Sequence, residues 1–172
     1  MEKQYKAVFF DLGGTLRIAF LEEAYMRHAR RKMAEIAGTD MPYEEFYQMI
    51  EERYEPYRKW ALGEFKESGD EELCSVVLQA SKGIRQVCHE LSFQYRQCKG
   101  RREVVDGGVE VIKGLHERGY KLGIISNLIG ENEVPDWLEE DGLDSYFDTV
   151  ILSSVCHMRK PCSEIYDLAC QQ

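Results

Sequence analysis

An unbroken apolar run at residues 7–10 ends at Asp11 and is followed by a pair of glycines, Gly13 and Gly14. A short apolar run of this kind is typical of a strand buried on both faces of a parallel sheet. The paired glycines predict a tight turn in which the backbone can approach a ligand closely. The sequence therefore predicts a buried strand with a charged side chain at its carboxyl end.

Two further apolar runs, at residues 122–125 and 149–152, alternate with helical patterns in the last third of the chain. The helical patterns lie at about residues 109–119, 137–142 and 164–170. Strands that alternate with helices in this way are typical of an α/β fold with a parallel sheet.

Residues 18–99 have a different pattern, because their apolar residues recur at three- and four-residue steps throughout. The steps predict three amphipathic helices, the first ending near Gly38, the second over residues 43–62 and the third over residues 73–95. Three such helices form a small bundle that buries its own apolar seams. The bundle is inserted directly after the first strand.

Charge and hydropathy narrow the classes of partner. The net charge of the 172 residues is −9, and residues 103–172 carry all of the acidic excess. Phosphate backbones bind basic faces, so nucleic acid is not an expected partner. The acidic residues are expected to form a solvated surface. No apolar run approaches the roughly 20 residues that cross a bilayer, so no membrane association is expected. The first residues lack the basic start and apolar stretch of a secretion signal, which predicts a cytoplasmic protein.

The cysteines do not form a metal-binding or disulfide pattern. None of them belongs to a CxxC pair, and without a secretion signal reduced structural thiols are expected. Cys156, His157 and Cys162 match no spacing typical of zinc ligands, so no metal site is predicted from them.

Polar residues at the carboxyl ends of the predicted strands form the candidate site, because ligands of open parallel sheets bind in the crevice there. They are Asp11, Thr15, Ser126 and Asn127, with Lys160 from a later loop. A carboxylate at the end of an apolar strand is costly unless it is paired or binds a cation, which favours a functional role for Asp11 over a turn cap. Taken alone, Ser126 and Asn127 could equally cap a helix, and Lys160 could be a surface lysine.

Taken together, these residues resemble the motifs of the haloacid dehalogenase-like (HAD) hydrolase superfamily. Residues 8–16 resemble the first motif, an apolar strand followed by Asp-x-Asp-Gly-Thr. Residues 123–127 resemble the second motif, and residues 159–161 resemble the third. The connection at residues 142–148 is also similar to that of the family. The resemblance covers essentially the whole chain, and the order and spacing of the motifs make it more specific than any one of them.

The resemblance implies an α/β fold, with a parallel, three-layer Rossmann-like core and an inserted α-helical cap bundle of the C1 type. Residues 1–16 and 102–172 would form the core domain and residues 17–101 the cap domain. The family's fourth strand and its acidic fourth motif would follow the last helix, so the core is expected to be truncated after the third strand by roughly 40–60 residues. The first strand would then be an open sheet edge, through which a homodimer could form.

The family's chemistry implies a role for each matching residue. Asp11 would be the nucleophile that forms a covalent aspartyl intermediate, and it would bind Mg²⁺ together with the backbone carbonyl of Gly13. Ser126 would donate a hydrogen bond to a phosphoryl oxygen, and the backbone of Asn127 would assist it. Lys160 would hold Asp11 and the phosphoryl oxygens by its charge.

The remaining residues that match the motifs would bind the substrate. Thr15 would orient the loop after the first strand, and Gly14 would let the backbone of that loop approach the substrate. Asn127 also belongs to this group. The implied substrate is a small phosphorylated metabolite.

Gly13 departs from the family pattern, because the family's phosphatases have a second Asp there that protonates the leaving group and then activates water. Glycine cannot transfer a proton, and such help is typically worth about 10²–10⁴-fold in rate. Three hypotheses stay open: an impaired or altered phosphatase, a non-catalytic binding or partner-dependent protein, and a dehalogenase or phosphonate hydrolase. Members of the last class resemble this chain in lacking that Asp.

Two further residues near the motifs have more than one interpretation. Arg17, just past the first motif, is either an anion binder or a solvated or helix-capping arginine. His157 stands where relatives often have a glycine, and we interpret it as a change in a surface loop.

Overall fold

The structure, a computed structural model, describes residues 5–78 and 85–172. These residues form the strands β1 (Ala7–Phe10), β2 (Arg17–Phe20), β3 (Arg101–Val104), β4 (Lys121–Ser126) and β5 (Thr149–Leu152). The helices are α1 (Glu23–Ala37), α2 (Tyr43–Glu64), α3 (Asp70–Leu73), α4 (Arg85–Gln97), α5 (Gly108–Glu117), α6 (Glu133–Glu140), α7 (Ser153–Cys156) and α8 (Ser163–Gln171). A π-helical turn follows α3 at Cys74–Leu78, and a 3₁₀ turn lies at Asp144–Tyr146.

Strands β1, β4 and β5 form a parallel sheet in the order β1-β4-β5. Phe10 is in register with Ile124, and Ser126 is in register with Leu152, so the carboxyl ends of the three strands meet at one edge. The three predicted strands and their parallel arrangement are confirmed. Strand β4 is one residue longer at each end than the predicted run at 122–125.

Helices cover both faces of this sheet, which gives the core three layers. Leu122 and Ile124 point to one face, where they pack with Ile112 of α5 and with residues of α6. Ile125 points to the other face and packs with Ile165 of α8. The alternation follows the two-residue period of a strand, and here both faces are apolar because both are covered. The predicted α/β fold class is therefore confirmed.

Strand β1 is less buried than its apolar sequence predicts. Ala7 is exposed and Phe9 keeps 36% of its surface, so the prediction of burial on both faces is wrong for this strand. Strand β1 is an edge strand of the described sheet, and α8 packs against β4 and β5. The Phe9 ring lies over Gly123, where an added Cβ would come within 2.4 Å of it. Pairing of this edge with a second copy of the chain stays a prediction.

Helices α1 to α4 follow β1 and precede β4 in the sequence, and they have a hydrophobic cluster of their own. Helix α1 packs against α2 and α4, and Met33, Ile50 and Leu91 are completely buried at the centre. The predicted helical bundle after the first strand is therefore present. The division into a core domain of residues 1–16 and 102–172 and a cap domain of residues 17–101 stays a prediction.

The prediction that residues 18–99 are helical throughout is wrong at the beginning of that stretch. Strand β2 pairs with β3 in an antiparallel ribbon, with Arg17 opposite Val104 and Phe20 opposite Arg101. Three of the four residues of β2 are exposed, and its apolar residues 18–20 run directly into the helical pattern that begins at Leu21, which hides the strand in the sequence. Strand β3 has no apolar run. Helix α1 begins only at Glu23.

The third predicted helix is not regular over its whole length. Its first part is α3 followed by the π-helical turn at Cys74–Leu78, and its last part is α4. The middle part, residues 79–84, lies outside the described residues. No helix within residues 5–78 and 85–172 has both the length and the apolar character that crossing a membrane requires.

Candidate functional site

The turn after β1, which contains Gly13 and Gly14, is closed by backbone hydrogen bonds to Arg17. Gly14 N–H donates to the Arg17 carbonyl at 2.9 Å, and Arg17 N–H donates to the Leu12 carbonyl at 2.9 Å. Gly14 has a φ of 74°, a conformation in which a side chain would be strained. Gly13 has no positive φ, and a Cβ added to it would meet no atom of the described residues within 4 Å.

Asp11 and Lys160 meet at the carboxyl end of the sheet, although 149 positions separate them in the sequence. The Nζ atom of Lys160 donates to Oδ1 of Asp11 at 2.6 Å. The Asp11 side chain is 42% exposed and that of Lys160 is 21% exposed, so the pair is open to a substrate from solvent. A carboxylate that is reached from solvent in this way can act as a nucleophile.

Asn127 positions the backbone of Lys160 with its side chain. Its Oδ1 accepts from Lys160 N–H at 2.8 Å, and its Nδ2 donates to the Lys160 carbonyl at 3.0 Å. Sequence reasoning expected only the Asn127 backbone to be used. The side-chain role was missed because the partner lies 33 positions away and is a main-chain group, which leaves no trace in the sequence.

Ser126, the last residue of β4, and Asn127, which follows it, line a cavity of about 220 Å³ together with the turn residues Gly13 and Gly14. Ser126 is buried, with 4% of its surface exposed. The remaining lining residues are Leu12, Arg17, Ala19, Arg96, Arg102, Leu128, Glu133 and Val134. Four of the predicted site residues therefore share one cavity.

Three other predicted residues stand outside the lining of this cavity. Asp11 and Lys160 lie beside it at the sheet end rather than in its wall. The side chain of Thr15 is exposed, and Thr15 contributes a backbone N–H that donates to the Leu12 carbonyl at 3.1 Å. The assignment of Thr15 to substrate binding stays a prediction.

Three arginines line this cavity, and sequence reasoning had singled out only Arg17. Arg17 is half-buried on β2 and donates from Nη2 to the Arg102 carbonyl at 2.8 Å, so it is neither solvated nor a helix cap. Arg96 on α4 donates from Nε to Oε2 of Glu133 at 2.7 Å. Burial first, and then the neighbouring charge of Arg96, lower the pKa of Arg102 to about 10, although Glu133 acts in the opposite direction. Arg96 and Arg102 were missed because they lie in a helix and a strand far from any motif.

The loop that carries Lys160 is anchored to the helical bundle by a buried carboxylate. Glu67 is 2% exposed, and Arg159, the residue before Lys160, donates to its Oε2. The Tyr57 hydroxyl donates to Oε1 of the same carboxylate, and Arg159 N–H donates to the Phe65 carbonyl at 2.8 Å. Sequence reasoning missed Glu67, since it lies in a polar stretch between two helices.

His157 has a φ of 61°, in the left-handed region that favours glycine. This conformation gives a physical reason for a glycine at that position in related chains. The His157 side chain is exposed overall, and its Nδ1 lies 3.1 Å from the Glu67 carbonyl.

The cysteines and a separate cluster are two further sets of groups of the kind that bind metals. All six cysteines are free thiols. Asp70, His89 and Glu131 each place a ligand atom within 4.8 Å of the others, so this group could hold an ion. None of the three was predicted, because they come from three distant parts of the sequence.

Comparisons with known proteins agree on the fold. The family described as haloacid dehalogenase-like hydrolase matches residues 5–172. No curated protein matches the sequence.

Solved structures of similar fold include phosphatases and dehalogenases. A predicted phosphoglycolate phosphatase from Haemophilus somnus is 16% identical, with 99% of this chain and 72% of that chain covered and a TM-score of 0.53. The HAD-hydrolase YfnB from Bacillus subtilis, bound to magnesium, is 15% identical, with 99% and 74% covered and a TM-score of 0.54. L-2-haloacid dehalogenase from Xanthobacter autotrophicus is 18% identical, with 98% and 64% covered and a TM-score of 0.52.

Proposed function

The chain belongs to the haloacid dehalogenase-like hydrolases, and on that premise we propose that it hydrolyses phosphate monoesters of small metabolites through a covalent intermediate on Asp11. The observation that carries this proposal is the 2.6 Å contact between Asp11 Oδ1 and Lys160 Nζ at the carboxyl end of the sheet. Parallel sheets bind ligands at this edge. A carboxylate beside a single ammonium there is equipped to attack an electrophile and to tolerate the negative charge that develops.

The reaction has two steps. An oxygen of the Asp11 carboxylate attacks phosphorus, a P–O(Asp) bond forms, and the P–O bond to the alcohol breaks. The leaving oxygen takes its proton from water. A water molecule then attacks the phosphorus of the acyl phosphate, which releases inorganic phosphate and regenerates the Asp11 carboxylate.

The other predicted residues would bind the phosphoryl group while this happens. Ser126 ends the central strand, and its hydroxyl would donate to a phosphoryl oxygen. Lys160 would remain close to both the carboxylate and the phosphoryl oxygens, because Asn127 holds its backbone at two points. Preorganised donors of this kind stabilise developing charge without having to reorient during the reaction.

Gly13 sets the limit of this activity. The step that releases an alkoxide and the step that activates water both lack a side chain for proton transfer at this position. We expect slow turnover of alkyl phosphates, by the factor of about 10²–10⁴ that general acid–base catalysis contributes. Aryl phosphates have better leaving groups and need less protonation, so they are the substrates on which Asp11 chemistry should be visible.

The residues around Asp11 suit a magnesium ion. Its donors would be oxygens, the Asp11 carboxylate and the Gly13 carbonyl, and that carbonyl takes no part in the two bonds that close the turn on Arg17. Mg²⁺ prefers oxygen ligands and is often bound by one or two carboxylates together with substrate phosphate and water. When bound, it would supply positive charge that offsets the phosphoryl oxygens.

Gly13 also favours a second candidate function, cleavage of a carbon–halogen bond. A halide leaves without a proton, so the absence of an acid at position 13 costs nothing in that step. The water that follows would attack the carboxyl carbon of the Asp11 ester rather than phosphorus. This chemistry uses the same nucleophile, and the two candidates differ in their substrates.

Turnover of an aryl phosphate by matched variants tests the proposal. We expect hydrolysis by the unmodified chain with Mg²⁺ and none by Asp11→Asn, because the amide is a poor nucleophile. Asp167→Asn, an exposed residue on α8, is the matched control and should behave like the unmodified chain. Equal rates from the unmodified chain and Asp11→Asn would contradict Asp11 catalysis. Halide release from a 2-haloacid, lost in Asp11→Asn, would favour the second candidate.

A further inference from the structure

Three guanidinium groups face one small cavity that also holds the predicted phosphoryl-binding residues. Arg17 comes from β2, Arg102 from β3 and Arg96 from α4, and all three line the cavity that reaches Ser126 and Gly13. We propose that these arginines form a second anion subsite, which binds a carboxylate or phosphate at the far end of a small substrate. The inference rests on the proposed function, because it assigns the phosphoryl group to the Asp11 end.

The lining of the cavity carries more positive than negative charge, and Glu140 and Asp141 act on Arg17 from outside that lining. Among the described residues that line it, Glu133 is the one acid facing three arginines. Glu133 accepts from Arg96 Nε at 2.7 Å, and its other oxygen lies 3.7 Å from Arg102 Nη1. One carboxylate therefore compensates part of the positive charge, and an incoming anion would compensate more of it.

The three side chains are held in place before any ligand arrives. Arg17 donates to the Arg102 carbonyl at 2.8 Å and lies over the Trp137 ring, 4.5 Å from its centroid. Arg102 donates from Nη1 to the Arg96 carbonyl at 2.9 Å. Groups fixed in this way lose little freedom on binding, and the planar fork of arginine suits carboxylate and phosphate.

An unsatisfied donor marks this cluster as incomplete. The Nε atom of Arg17 is buried and has no hydrogen-bond partner among the described residues. Burial also lowers the pKa of Arg17, as expected for a cation that is poorly solvated. If the arginines served only to connect the β2–β3 ribbon to α4, the unsatisfied donor would destabilise the fold and nothing would offset that penalty. A bound anion would offset both the desolvation and the missing partner.

The cavity of about 220 Å³ has an apolar part as well as the arginines. Leu12, Ala19, Leu128 and Val134 supply apolar wall. These apolar residues would contact a short carbon chain between the phosphoryl group and the second anionic group.

Calorimetry with a matched series of three-carbon ligands tests the subsite. The ligands are propyl phosphate, the phosphate ester of 3-hydroxypropanoate, and propane-1,3-diol bisphosphate, titrated into the full chain carrying Asp11→Asn so that no turnover occurs. We expect at least one ligand with a second anion to bind roughly 10- to 100-fold more tightly than propyl phosphate, as hydrogen bonds to charged groups would give. Preference for the carboxylate or for the bisphosphate identifies the second group. Equal binding of all three ligands would overturn the proposal.

Substitution of Arg17, the arginine closest to the turn, is the second part of the calorimetry experiment. Arg17→Met, added to the same chain, should reduce the preference, because only Arg96 and Arg102 then remain, and Arg17→Lys should reduce it less. Arg58→Met, on the exposed surface of α2, is the control and should change nothing. A preference that is undiminished in a folded Arg17→Met chain would contradict the assignment. The result is separable from the proposed function, because loss of aryl phosphate hydrolysis in Asp11→Asn is measured by turnover, whereas the subsite is measured by binding alone.

Discussion

The side chain of Asn127 binds both backbone polar groups of Lys160, accepting from its N–H at 2.8 Å and donating to its carbonyl at 3.0 Å. One residue at the end of the central strand thereby fixes the lysine that contacts Asp11. The Glu67–Arg159 ion pair fixes the preceding residue against the helical bundle. Lys160 is thus positioned from two sides, by the sheet and by the bundle.

Asn127→Asp should show whether the Asn127 side chain positions Lys160 for catalysis or only contributes to packing. The change keeps the acceptor for Lys160 N–H but places a carboxylate oxygen against the Lys160 carbonyl. We expect aryl phosphate turnover to fall about 10²-fold, as a misplaced catalytic group would cause, and the free energy of unfolding to fall by about 1–3 kcal/mol. Asn132→Asp is the control, since Asn132 is exposed before α6, where Asp is an equally good residue. Unchanged kcat in Asn127→Asp would show that the clamp does not position Lys160.

Gly13→Asp should increase turnover of alkyl phosphates by about 10²–10⁴-fold, because it restores a group that can transfer protons in the turn after β1. The structure has room for the side chain, with no atom of the described residues within 4 Å of the added Cβ. Gly13→Asn has the same size without the acid and is the matched control. If Gly13→Asp is no faster than Gly13→Asn, the missing acid is not what limits the activity.

Glu67→Gln should destabilise the chain strongly. It leaves the half-buried Arg159 guanidinium without its charge partner, and breaking a buried pair costs about 3–5 kcal/mol. Urea denaturation followed by circular dichroism measures the change. Glu55→Gln, which removes the exposed pair with Arg58, should shift the free energy of unfolding by less than about 0.5 kcal/mol. A loss in Glu67→Gln no larger than in the control would contradict the anchoring role.

Asp148 should make the stability sensitive to acid. The hydrogen bond from Lys121 and then the one from Leu122 N–H, 2.9 Å long, lower the pKa of Asp148. Because the folded-state pKa lies below the unfolded value of about 3.9, the carboxylate stabilises the fold above that pH. The contribution disappears as the pH falls through the folded-state pKa. The difference in unfolding free energy between the unmodified chain and Asp148→Asn should therefore shrink below about pH 4. A difference that stays constant down to pH 2 would contradict this assignment, and Lys121→Met should remove part of it at neutral pH.

The features that the sequence predicted are those encoded by neighbouring residues. The run at residues 7–10 and the glycines after Asp11 place a strand and a turn, and the apolar run ending at Ser126 places another strand end beside them. Parallel pairing then brings these strand ends to one edge, which is why Asp11 and Ser126 could be predicted as parts of one site.

The features that the sequence did not predict depend on contacts between distant residues. Arg96 and Arg102 join the cavity because the β2–β3 ribbon folds beside α4, a contact that no local pattern around either arginine indicates. From the sequence alone Glu67 would be interpreted as a surface acid, because Arg159, its partner in the structure, lies 92 positions later. The exposure of Phe9 likewise follows from the edge position of β1 rather than from its apolar sequence.

Detection of a phosphoryl group on Asp11 tests the central claim most directly. The chain is mixed with an aryl phosphate and Mg²⁺, quenched in acid within one turnover, digested, and analysed by mass spectrometry. Because Gly13 cannot activate the water of the second step, the intermediate should accumulate, and the peptide containing Asp11 should carry one phosphoryl group that is absent in Asp11→Asn. Hydrolysis of the aryl phosphate with no modified peptide, at a rate that Asp11→Asn shares, would contradict the account.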